Sequence, residues 1–95
     1  MTTYITLLRY TTEGMKGISP ARTNESNEAI KRAGGKLVGG YETLGAYDAV
    51  IIAEYPDERA AMKANIELSK LIGVSSNTLI AIPIQDFDQE ISCFL

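Results

Sequence analysis

Only Leu44-Gly45-Ala46 separates two segments that both read as strands, Lys36 to Thr43 and Tyr47 to Tyr55. A parallel crossover needs a dozen or more residues, so the two strands must form an antiparallel hairpin with the glycine in its turn. Everything else in the chain is arranged around that hairpin. Before it stand a strand and a helix, and after it a helix and a strand. The order βαββαβ is the ferredoxin-like split arrangement, an α+β fold with a four-stranded antiparallel sheet and two helices on one face.

The flanking elements carry their own punctuation. Thr3 to Tyr10 is rich in β-branched and aromatic residues and predicts a strand that ends in the loop Thr11-Thr12-Glu13-Gly14. Ser19 and Pro20 form an N-cap and first-turn proline for a helix over Pro20 to Ala33, closed by Gly34-Gly35. Pro56 stops the hairpin's second strand and Asp57 caps a second helix. In that helix Ala61, Ala64, Leu68, Leu71 and Ile72 recur at helical spacing before Gly73 ends it. A last strand is predicted over Asn77 to Ile84. Residues 1–84 are thus expected to form one domain, and residues 85–95 an acidic, partly apolar tail ending in Cys93, Phe94 and Leu95.

With 12 acidic against 9 basic residues and a net charge of −3, the chain lacks the footprint of a nucleic-acid binder. No signal-like N-terminus and no apolar run of membrane-spanning length is present, so a soluble, cytoplasmic protein with no membrane partner is expected. The absence of histidine and the single cysteine remove the usual transition-metal and haem ligands, and no metal or cofactor is expected. Cys93 has no basic neighbour to activate it and reads as a small apolar contact.

The strands are apolar at both parities. If Ala49, Ile51, Ala53, Leu79, Ala81, Ile5 and Leu7 face the helices, then Val50, Ile52, Ile80, Ile82, Ile84, Leu8 and Tyr4 face away. A patch of that size is more than a soluble monomer usually exposes. The expected remedy is a second copy packed sheet to sheet, as a homodimer or higher homo-oligomer. The competing reading folds the tail over the sheet.

Several stretches together resemble the GYD domain family. They are Gly14 to Arg22, Gly34 to Leu37, Tyr41 to Val50 and Glu54 to Asp57, within a likeness running from about Tyr4 to Phe87. The glycine that names the motif is replaced by Ala46, with Gly45 before it, so a positive φ is not needed at that position. The resemblance implies a ferredoxin-like fold of the dimeric α+β barrel type, in bacteria or archaea. It implies no reaction.

In this fold the end of the first strand lies beside the start of the third, so Arg9 and Tyr10 approach Tyr47 and Asp48. By parity Asp48 shares the open face with Thr6 and Tyr10, while Arg9 points to the helices. The candidate ligand-binding set is Thr6, Arg9, Tyr10, Tyr41, Tyr47 and Asp48, in a pocket between sheets. Asp48 would serve as base or acceptor and the tyrosines would orient a small organic ligand. The plainer reading has Asp48 accepting backbone N–H bonds or pairing with Arg9 or Arg22. Arg22, set against the helix dipole, reads as an anion clamp with Lys16 or as a surface cation. Three functions remain open: a homo-oligomeric small-molecule-binding protein, a cofactor-free enzyme using Asp48 and tyrosines for proton transfer or monooxygenase-like chemistry, and a structural or interaction protein with no cavity. Binding ranks above catalysis because no nucleophile–base pair is present.

Overall fold

The computed structural model describes residues 1–92. Strand β1 (Thr2–Tyr10) leads through a short helix α1 (Thr12–Lys16) into α2 (Pro20–Arg32). The hairpin strands β2 (Lys36–Glu42) and β3 (Ala49–Tyr55) follow, then α3 (Glu58–Ile72), β4 (Val74–Ala81) and α4 (Ile84–Ser92). The strands form one antiparallel sheet in the order β2-β3-β1-β4. The ferredoxin-like order therefore holds, with two corrections.

First, the sheet is open, with β2 and β4 as its two edges, and it does not close into a barrel; the dimeric α+β barrel implied by the family resemblance is not what this chain forms. Second, the described residues contain four helices, not two. Helix α1 lies in the segment expected as a loop, too short to show any periodicity. The Thr11 hydroxyl starts it by accepting the Gly14 N–H at 3.0 Å, and donates to the Gly73 carbonyl at 3.0 Å. Helix α4 occupies most of the expected tail. It follows Pro83, which cannot continue a strand ladder. Cys93, Phe94 and Leu95 lie outside the described residues.

The caps behave as their residue types require. Ser19 Oγ accepts the Arg22 N–H at 3.1 Å, and Asp57 Oδ1 accepts the Ala60 N–H at 2.9 Å. Gly73 ends α3 in the left-handed region at φ 79°, and β4 starts at the next residue. That strand lies three residues earlier than expected, because the sharp reversal at Gly73 brings Val74 directly opposite Tyr10. In the hairpin Gly45 takes φ 113°, and no described residue other than glycine has a positive φ. Ala46 accordingly sits in ordinary backbone, and Gly45 makes the turn.

The core lies between the sheet and α2 with α3. Tyr4, Ala53 and Tyr55 meet Ile30, Ala61, Ala64, Leu68 and Ile72 there. The facing of β1 is the reverse of the expected one: Tyr4, Thr6 and Leu8 are buried under the helices, and Ile5 and Leu7 lie on the open face. The cause is volume. The facing helices present small residues (Ala29, Ala60, Ala61, Ala64), which leave room that two tyrosines fill. Tyr4 and Tyr55 pack edge to face with centroids 5.6 Å apart. On the open face Ile5, Leu7, Val50 and Ile52, each half-buried, form a continuous apolar patch in adjacent register, covered by no helix among the described residues.

Candidate functional site

Asp48 lies immediately before β3 begins, beside the end of β1. Its N–H donates to the Leu8 carbonyl at 2.8 Å, and its Oδ2 accepts the Tyr10 N–H at 2.9 Å. The carboxylate thus stands in for the backbone acceptor that one more strand residue would have supplied. Thr43 closes the hairpin beneath it, its N–H donating to the Asp48 carbonyl at 2.8 Å and its hydroxyl to the Tyr47 carbonyl at 2.6 Å. A charge is kept here because an amide at a strand end needs an acceptor.

Around Asp48 the predicted residues divide between the two faces of the sheet. On the open face the Arg9 guanidinium donates from Nε and Nη2 to the Ala46 carbonyl at 3.0 and 2.7 Å and lies 5.5 Å from the Tyr47 ring centroid. Asn77 Nδ2 donates to the Tyr47 hydroxyl at 3.4 Å. On the helix face the Tyr10 hydroxyl donates to Glu42 Oε1 at 2.8 Å, and the Arg22 guanidinium lies 5.6 Å from the Tyr10 ring centroid. Thr6 is remote from both groups, buried with its hydroxyl 3.3 Å from that of Thr78, which also accepts Asn65 Nδ2 at 2.7 Å. Alternation along β1 separates Tyr10 from Arg9, and the reversed facing exchanges which of the two lies under the helices.

The helix-face group opens on a cavity of about 360 Å³ between α2 and the β2–β3 half of the sheet. Tyr10, Arg22, Tyr41 and Glu42 line it together with apolar residues that include Leu8 and Ile51. It lies under a helix, whereas a pocket between sheets was expected. Arg22 does not pair with Lys16, which instead meets Glu13 at 3.4 Å. Its Nη1 donates to the Gly14 carbonyl at 2.6 Å and the Ile72 carbonyl at 3.4 Å. A cation there ties a carbonyl of α1 to the last carbonyl of α3. Glu42 escaped the sequence reading, although it shares a face with Tyr10 once β1 is placed correctly. Among the described residues no group of three or more acidic, cysteine or histidine side chains is placed to hold a metal ion. No helix among them is long and apolar enough to cross a membrane.

Burial, and then the hydrogen bond to Glu42, push the Tyr10 phenol up to about 12, with the Glu42 and Asp48 charges adding and Arg22 opposing. A phenol whose folded value exceeds its unfolded value of about 10 holds its proton more tightly when folded, so its contribution to stability is complete below that value and is lost as pH rises toward 12. Urea midpoints should therefore fall between pH 10 and pH 12 in the wild type, and fall less steeply in Tyr10→Phe.

The model of the GYD domain matches residues 4–91. The chain belongs to the GYD family. The matched span ends at Ile91, within α4. A relative from Thermus thermophilus, the "Glutamine synthetase and cystathionine beta-lyase binding protein", is 34% identical over 89 residues, covering 90% of this chain and 94% of that protein. The leucine response regulatory protein of Mycobacterium tuberculosis has a similar fold, with a TM-score of 0.58 at 10% identity over 86% of this chain. This GYD chain spans 51% of the length of that protein, and the likeness is one of fold alone.

Proposed function

We propose that this GYD protein is a non-catalytic binding protein that self-associates and docks on a metabolic enzyme. The observation that carries the reading is near full-length similarity to a relative whose name states that it binds two enzymes, glutamine synthetase and cystathionine β-lyase. Self-association is supported by two apolar surfaces that no helix among the described residues covers. One is the open sheet face with Ile5, Leu7, Val50 and Ile52. The other is α4, where Ile84, Phe87 and Ile91 recur at helical spacing, Ile84 and Phe87 are 77% and 49% exposed, and no residue is buried. A second copy laid over the open face, with its α4 against that surface, would remove both from water.

The catalytic alternative draws less support. The Asp48 carboxylate is already engaged by the Tyr10 N–H, and the only phenol raised beside a charge, Tyr10, is itself held by Glu42. The cavity lies on the helix-covered face, so a small molecule and a second copy would use different surfaces. Size-exclusion chromatography of the protein mixed with glutamine synthetase or cystathionine β-lyase from its own organism tests the reading. Co-elution with at least one of them at micromolar concentration is expected. Separate elution from both would overturn it.

A further inference from the structure

The cavity under α2 holds two opposite charges that do not neutralise each other. Arg22 and Glu42 both line it, on either side of Tyr10, and neither belongs to the ion pairs among the described residues, which are Lys16–Glu13 and Lys31–Glu28. Of the Arg22 donors only Nη1 is engaged, by the Gly14 and Ile72 carbonyls. Nε and Nη2 have no described partner, and an arginine has five N–H groups to place. Glu42 uses Oε1 for the Tyr10 hydroxyl and keeps Oε2 free of any described partner. Asn27, also on the wall, makes no described side-chain hydrogen bond. The rest of the lining is apolar, with Leu8, Ile18, Ile51 and Ile72.

We infer that this cavity binds a small zwitterion, an α-amino acid with an apolar side chain. Its carboxylate would lie on the open edge of the Arg22 guanidinium, its ammonium on Glu42 Oε2, and its side chain among Leu8, Ile51 and Ile72. The chemistry follows from the lining. A simple anion would face Glu42 and a simple cation would face the half-buried Arg22, so each would meet a like charge lining the same cavity. A molecule with both charges on one carbon meets neither penalty. The volume of about 360 Å³ falls at the lower end for small-molecule sites, in keeping with a ligand of that size.

Calorimetric titration of the full chain with L-leucine, L-methionine and L-valine tests the inference, with 4-methylpentanoate and 3-methylbutylamine as leucine analogues lacking one charge. At least one amino acid should bind with a Kd below about 1 mM, and each analogue should bind leucine's site at least about tenfold more weakly than leucine itself if leucine is the ligand. Glu42→Gln keeps an acceptor for the Tyr10 hydroxyl and removes only the charge, so it should weaken amino-acid binding about tenfold with an unchanged melting temperature. No binding of any of the three amino acids up to about 10 mM, or binding indifferent to Glu42→Gln, would overturn the assignment. Either result leaves enzyme docking untouched, since that is read from co-elution and not from the cavity.

Discussion

Gly14→Ala should lower the stability of the fold by roughly 3 kcal/mol, the upper part of the range for forcing a methyl into a packed site. A Cβ at Gly14 would lie 2.1 Å from the Gly73 carbonyl oxygen and 2.7 Å from that of Ile72. Both contacts are backbone, at the point where α3 ends and β4 begins, so no side chain can rotate away. Relief requires moving α1 off the sheet. That would also break the Thr11 hydroxyl bond to Gly73 and the Arg22 bond to the Gly14 carbonyl. For a domain of this size such a loss lowers the melting temperature by on the order of 15 °C. Circular dichroism melts of wild type and Gly14→Ala check it, and a shift of only a degree or two would show that α1 is not packed as described.

Ile52→Asp should abolish self-association while leaving the subunit folded. Ile52 is half-buried on the open face, opposite Ile5 and beside the row formed by Leu7 and Val50. In a single subunit an aspartate there can be solvated, and the cost is the loss of a β-branched side chain from a central strand, on the order of 1 kcal/mol. Under a second copy it would be a carboxylate taken out of water beside a second one, Glu54, two residues along on the same face. By register the nearest cation is Lys36, which stands opposite Glu54 on the same face, while Arg9 lies at the far end of the sheet, held by the Ala46 carbonyl and the Tyr47 ring. Burying an unpaired charge costs several kcal/mol, which corresponds to association weakened by more than about a hundredfold.

The local punctuation of this chain was legible because each signal works through its immediate neighbours. Ser19 and Asp57 cap the helices they precede, Gly73 ends α3, and Gly45 alone carries the hairpin's positive φ. Those signals suffice for the βαββαβ order. The facing of β1 was not legible, because Thr2–Tyr10 is apolar or β-branched at both parities, and the choice is made by helices whose alanines leave space for Tyr4 and Tyr55. That one reversal exchanged the two sides, placing Tyr10 with Glu42 under the helices and Arg9 with Tyr47 on the open face. Helix α1 is a single packed turn held by tertiary contacts, Thr11 to Gly73 and Gly14 against the same backbone, and such contacts leave no periodic trace. In α4 the stripe Ile84, Phe87, Ile91 was present but was read as a strand end and a tail, because Pro83 falls between the two elements.

The site was legible in part for the same reason. Asp48 could be placed at the strand junction from the hairpin alone, and its acceptance of a backbone N–H is the plainer of its two readings. Its partner is the amide of Tyr10 on the neighbouring strand, not one within the hairpin. Arg22 stood out by opposing the helix dipole, and it is held by carbonyls of two other segments, Gly14 and Ile72, that no spacing rule connects to it. Glu42 became relevant only after the register Glu42–Ala49–Leu8 set it on the face of Tyr10.

The claim that this fold is completed by another copy of itself is tested most directly by sedimentation equilibrium at micromolar concentration. The wild type should give a mass of at least twice 10.3 kDa, and Ile52→Asp, with an unchanged far-ultraviolet circular dichroism spectrum, should give 10.3 kDa. A wild-type mass of 10.3 kDa at those concentrations would contradict it, and the open face and α4 would then need another explanation.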